Sequence, residues 1–184
     1  MKKILGLIFL TILFGCSITK HLTEKKPDCI IKNFKTQFTD KDSSGVPYYQ
    51  SEEFANTALK DYSIKSIKDR YRGNLKISLI PIVNRYDTKI VDTIYRFSNH
   101  NNLIEVYRAK QADFVIQFDI SDAVFKLNGC ISAGSDKNSI AKQFGIKESI
   151  GDIITIGSQE KTVTFTLYFK NNKVVRIRCY IYFE

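Results

Sequence analysis

At 184 residues, with 43% hydrophobic and 12% aromatic residues, the chain has enough apolar material for one domain of ordinary size, and no internal repeat or long Gly, Pro or Ser tract divides it. Its formal charge of +9 favours anionic partners. The four cysteines and two histidines, His21 and His100, form no CxxC or Cys/His cluster, which argues against a structural zinc site.

The N-terminus has its own logic. Lys2 and Lys3 precede an apolar run from Ile4 to Phe14, and the small Gly15 follows. This is the layout of a secretory signal, and the run is about half of the roughly 20 residues a spanning helix needs. Leu13, Phe14, Gly15 and Cys16 resemble the lipobox of bacterial lipoproteins, although Phe14 is larger than the usual occupant. The resemblance implies cleavage before Cys16 and acylation of its thiol and new N-terminus. Three acyl chains would make a stable anchor. An ordinary secreted signal with a chance cysteine, or an uncleaved anchor, is the alternative. By the sorting rule of enteric lipoproteins, Ser17 in place of aspartate favours the outer membrane, with the domain facing the periplasm.

Removing residues 1–15 takes away Lys2 and Lys3 and brings the side-chain charge from +9 to +7. A basic domain in the envelope suits anionic headgroups, acidic glycans or an acidic protein, and export argues against nucleic acid. An ordinary Lys-rich solvated surface would carry the same charge. Beyond Cys16, the cysteines Cys29, Cys130 and Cys179 allow three pairings and leave one thiol over.

Residues 16–28 are expected to form the lipidated N-terminus and tether, and residues 29–184 one α+β domain. CIIKNFKTQF, residues 29–38, reads as a first strand, and TDKDSSGVPYY, with Gly45 and Pro47, as a loop. Ser51 is placed to cap a helix with Glu52 and Glu53 in its first turn. Phe54, Ala55, Ala58, Leu59, Tyr62, Ile67 and Tyr71 recur at helical spacing, predicting one long amphipathic helix that ends near Gly73. LKISLIPIVN, residues 75–84, reads as a strand covered on both faces, with Pro81 at its end. Asp87 would cap a second helix through about residue 99, with Ile90, Val91, Ile94 and Phe97 in one stripe and NHNN as its terminating loop. LIEVY, 103–107, and ADFVIQFDI, 112–120, read as strands, the latter with Phe114, Ile116, Phe118 and Ile120 on one face.

A Gly- and Ser-containing stretch, 129–151, holds a short helix near Ile140 to Phe144, and two strands end the chain. Val163, Phe165, Leu167 and Phe169 line one face of the first, and Val175, Ile177, Cys179, Ile181 and Phe183 one face of the last. A two-residue turn at Asn171-Asn172 would set Leu167 opposite Arg176. A three-residue loop, 171–173, instead pairs 169 with 175, 167 with 177 and 165 with 179. That register gathers Arg176, Arg178, Tyr180 and Tyr182 beside Thr162, Thr164, Thr166 and Tyr168, a candidate partner-binding face unless a helix covers the tyrosines. The expected fold is two helices on a mixed, mainly antiparallel sheet with a C-terminal β-hairpin.

The order ISLIPIVN, helix, LIEVY, AKQADFVIQFDI and paired strands, over roughly residues 75–183, resembles a broad group of envelope lipoproteins and periplasmic domains. The group includes the curli-export lipoproteins, the N-terminal domain of the Tol-system propeller protein and the lipopolysaccharide-assembly lipoprotein. The pair Ala112-Asp113 opening a strand and the Pro81 to Asn84 turn carry the likeness. It implies an α+β sandwich with a role in assembly or binding. Curli-export relatives continue into a further helix where this chain stops at Glu184. Ser44, Gly45 and Tyr48 match the SGxxY signature of periplasmic lysozyme inhibitors, whose loop enters the lysozyme cleft. The second reading is therefore an inhibitor or defence lipoprotein that blocks an exogenous enzyme. Neither reading calls for a cofactor or metal. His100 lies between asparagines in a loop, and Asp119 and Asp122, a candidate carboxylate pair, fit turn and surface roles as well. No nucleophile motif or phosphate loop accompanies them, so binding is expected rather than catalysis.

Overall fold

A computed structural model describes residues 33–41, 45–110 and 112–182. The signal segment, Cys16, the tether, Cys29, Ser44 and Phe183 lie outside these. The fold is α+β. The elements run β1 (Gln37–Lys41), β2 (Pro47–Gln50), α1 (Glu52–Thr57), α2 (Ile64–Tyr71), β3 (Lys76–Val83), β4 (Val91–Ser98), β5 (Leu103–Arg108), β6 (Asp113–Ile120), α3 (Lys137–Gln143), β7 (Ile153–Gly157), β8 (Val163–Lys170) and β9 (Lys173–Ile181). The strands form one sheet in the order β1-β2-β7-β8-β9-β6-β5-β4-β3. Every neighbouring pair is antiparallel except β2 with β7.

Strand side chains alternate between faces, and the register aligns the apolar ones into rows. Tyr49, Ile156, Phe165, Cys179, Phe118, Ile104 and Phe97 cross the sheet in one row, beside Ile154, Leu167, Ile177 and Ile120 in the next. The helices and the 121–152 segment pack on this face. Phe54 of α1 meets Phe34, Phe144 and Phe165 with ring centroids 4.9–5.2 Å apart, and Phe125 meets Phe118 at 4.7 Å.

The expected long first helix is broken at residues 58–63. Tyr62 stacks on Phe125 at 4.0 Å, and its hydroxyl accepts from the Lys126 amide and donates to the Lys126 carbonyl, which pulls the chain off the helical path. Ser63 then restarts it through a capping box with Ser66. Ser51 occupies the α1 N-cap position with Glu52 and Glu53 in the first turn, but its buried hydroxyl makes no capping bond. Arg72, at φ 46°, and Gly73 end α2 in the left-handed region.

The expected second helix is strand β4. Val91, Thr93 and Ile94 are β-branched and Tyr95 and Phe97 aromatic, which suits a pleated surface, and all eight residues pair with β3. Asp87 sits in the turn, its carboxylate accepting from the Lys89 amide. Strand β3 is an edge strand, largely exposed rather than covered on both faces. An edge tolerates Pro81 well inside the strand. In β6 the pairing shifts between Val115 and Gln117, a bulge that turns Val115 into the core and leaves Phe114 exposed. Strand β7 was not anticipated, and the expected 39–49 loop contains the end of β1 and most of β2.

The C-terminal hairpin lacks the expected three-residue loop and the 169–175 pair but keeps the expected pairs further from the turn. Asn171 and Asn172, at φ 51° and 57°, form a two-residue turn with Lys170 opposite Lys173. A bulge then restores Leu167 to Ile177 and Phe165 to Cys179. The extra residue is Val175, so Phe169 faces the buried Val174 and Val175 is exposed.

Cys130 is disulfide-bonded and Cys179 is a buried free thiol, raised well above its ordinary pKa by burial. The two pairings that use Cys179 are thereby removed. Peptide mapping without reduction is expected to join Cys130 to Cys29 where Cys16 is acylated, and an alkylating reagent to reach Cys179 only on denaturation. Gly157 supplies a second check, because a Cβ there would lie under 3.0 Å from the Val163 carbonyl and the Tyr48 hydroxyl. Gly157→Ala is expected to destabilise by about 1–3 kcal/mol, measured by denaturant titration, and an unchanged midpoint would contradict this packing.

Candidate functional site

Among the described residues no helix packs on the opposite face of the sheet, and the C-terminal hairpin brings its polar residues there. Register places Tyr180 opposite Thr164, Arg178 opposite Thr166 and Arg176 opposite Tyr168, with Tyr182 just beyond the strand. These six of the eight residues expected to share a face therefore do, and a backbone bond from the Tyr182 amide to the Thr162 carbonyl continues the pairing beyond them. Tyr180 and Tyr182 are 56% and 53% exposed, so no helix among the described residues covers them.

Pairing of β9 with β6 sets Asp119 directly across from Arg178. The Asp119 carboxylate accepts two bonds from Arg176, through Nε and Nη2, and one of 3.0 Å from Arg178 Nε. Arg178 also donates to the Tyr168 hydroxyl at 3.3 Å and lies over that ring at 5.4 Å. These contacts fix two long side chains that would otherwise lose rotamer freedom on binding. Burial alone would raise the Asp119 carboxyl, but hydrogen bonds and charge from Arg176 and Arg178 outweigh it and hold it below the ordinary carboxylate value. Two guanidiniums share one carboxylate, so the cluster keeps a net positive charge.

A neighbouring trio is balanced. Glu105 is 5% exposed and accepts from Arg96 Nε and Gln117 Nε2. A buried carboxylate is tolerated only when paired in this way. Along β8, β9 and β6 beside the Asp119 cluster lies a groove of about 410 Å³, lined by Gln117, Asp119, Thr166, Tyr168, Arg178 and Tyr180 among others. It offers amide, hydroxyl and guanidinium groups beside tyrosine rings.

The remaining candidates fall elsewhere. Tyr48 is 1% exposed within β2; its hydroxyl donates to the Ser158 carbonyl and Lys161 Nζ lies 5.0 Å from its ring centre. Burial, helped by the charge of Glu52, pushes it up to about 12. A side chain so placed has little surface to insert into an enzyme cleft, and Gly45 is a turn residue at φ 80°. Asp119 and Asp122 belong to separate networks: Asp122 accepts from the Tyr71 hydroxyl at 3.2 Å and from Asn102 Nδ2. His100 is exposed in the β4–β5 turn. Among the described residues, no three His, Cys, Asp or Glu side chains form a group that could hold a metal, and no helix is long and apolar enough to cross a membrane.

The pair Ala112-Asp113 has a structural task. Asp113 accepts from the Ile64 amide at the start of α2 and bridges to Arg108, tying the helix layer to β5 and β6. Asp119, Glu105, Arg96 and Gln117 were not gathered by sequence reasoning, because their meeting depends on β6 lying beside β9 and β5.

No protein family, curated protein or solved structure matches the chain.

The Asp119 network predicts an acid response. A carboxylate held below its unfolded value stabilises the fold above the unfolded pKa of about 4, and that contribution is lost as pH falls through the folded value. Asp119→Asn is expected to cost about 1–3 kcal/mol at pH 7. Thermal melts of variant and parent should converge in acid; a gap that did not narrow would assign the loss to packing instead.

Proposed function

We propose that the chain is a lipid-anchored protein of the bacterial envelope whose domain binds or helps assemble another envelope component through the open sheet face. The observation that carries this reading is the exposed Arg178 and Tyr180 pair, with Arg178 held beside Arg176 by the shared Asp119, on a face that no helix among the described residues covers. Arginine and tyrosine are the residues that most often dominate binding energy when they are exposed and already ordered. The net positive charge of the cluster favours a partner that presents carboxylates or phosphates.

The N-terminal sequence supports the location. LFGC at residues 13–16 resembles a lipobox, and acylation of Cys16 would hold the domain at a membrane, with the outer membrane favoured by Ser17. The likeness to envelope-assembly lipoproteins points to the same class of role. The reading as an inhibitor finds no support in the position of Tyr48.

Two measurements separate location from binding. Cys16→Ala is expected to change the intact mass by more than the substitution itself; a lipid-free mass in the parent would remove the anchor. Affinity capture from solubilised envelopes should recover a stoichiometric partner, and Arg178→Ala with Tyr180→Ala should weaken capture by about tenfold or more. Undiminished capture by that variant would place the interaction elsewhere.

A further inference from the structure

The far edge of the sheet ends in an arm. Strand β4 meets β5 only from Thr93 onward, whereas β3 and β4 stay paired out to Val83 and Val91, so the last residues of this hairpin extend past the neighbouring strand. The turn that closes it is tightly built. Asn84 donates its amide to the Ile90 carbonyl, its Oδ1 accepts from the amides of Tyr86 and Asp87, and its Nδ2 donates to Asp92 at 2.6 Å. Asp92 is buried and also accepts from the Tyr107 hydroxyl, which anchors the arm to the body.

What this rigid arm presents is apolar. Val83 and Val91 lie opposite each other on one side at 58% and 61% exposed; Ile82 is exposed on the other side, and Ile90 and Tyr86 at the tip, Tyr86 at 87%. A single protein groove would take one side of such a ribbon, whereas a lipid interface surrounds both. The charges at this end agree. Strands β3 to β6 are a meander of consecutive antiparallel pairs, so the 84–90 and 109–112 turns sit at the same end of the sheet. Those turns carry exposed Arg85, Lys89 and Lys110 against one carboxylate, Asp87. Cations flanking apolar and tyrosine side chains match the headgroup and acyl boundary of an anionic membrane.

We infer that the β3–β4 arm docks on an anionic lipid surface, with Val83, Tyr86, Ile90 and Val91 entering the interface and Arg85, Lys89 and Lys110 meeting the headgroups. Docking by the arm does not depend on lipid at Cys16.

The chain contains no tryptophan, so Tyr86→Trp gives a single reporter. The full-length chain with Cys16→Ala is mixed with phosphatidylglycerol vesicles carrying brominated acyl chains, and with phosphatidylcholine vesicles of the same kind. Emission at position 86 is expected to shift blue and be quenched on the anionic vesicles, with binding at least about tenfold weaker on the neutral ones. A reporter at Tyr180→Trp is expected to stay unquenched. Val83→Thr with Val91→Thr, which keep β-branched side chains in the exposed strand pair, should weaken quenching at position 86 with little change in the melting temperature. The proposal is overturned if position 86 is not quenched on anionic vesicles, if both reporters are quenched equally, or if position 86 responds only to an added soluble envelope protein.

Discussion

The seam between β6 and β9 is the constraint on which the rest of the structure depends. Strands β3 to β6 form one local meander, and β7 to β9 with β1 and β2 form the other half of the sheet. Four register pairs, from Gln117 with Tyr180 to Ile120 with Ile177, join them. On the inner side the seam sets Phe118 against Cys179 and Ile120 against Ile177, completing the rows on which the helices pack. On the outer side the same pleat puts Asp119 across from Arg178. Core and candidate binding face are thus two sides of one backbone ladder, and a one-residue slip would exchange them.

The C-terminal hairpin was legible in sequence because burial of one face forces a period of two, and Phe165, Leu167, Ile177 and Cys179 keep it. The bulge at Val175 was not, since it needs the turn geometry of Asn171 and Asn172 as well as the pattern. Strand β4 was misread because Ile90, Val91, Ile94 and Phe97 satisfy helical spacing as well as Thr93, Tyr95 and Phe97 satisfy alternation. Tertiary pairing with β3 decided between them. The break after α1 was hidden for a related reason: Tyr62 fits a helical stripe, and only its stacking on Phe125, distant in sequence, removes it from the helix. The Arg and Tyr stripe was readable from parity alone. Its carboxylate partner was not, because strand order is a long-range property.

The two faces solve different problems. The inner face is closed by aromatic packing around Phe54 and Phe118, where loss of a ring would cost about 3–5 kcal/mol. The outer face is held by charge pairs that are half open to water and contribute less to stability, but fix the orientation of the groups a partner would meet. The partly screened Arg176–Asp119–Arg178 cluster is therefore better suited to positioning side chains than to holding the sheet together. Its neighbour Glu105 differs, being buried and dependent on Arg96 and Gln117 for compensation.

The parallel contact of β2 with β7 joins Tyr48 to Thr155, more than half the chain apart. Closing so long a loop is slow, and the pairing has nothing to dock on until β7 and β8 exist. The first edge of the sheet therefore takes its place only after nearly the whole polypeptide is present.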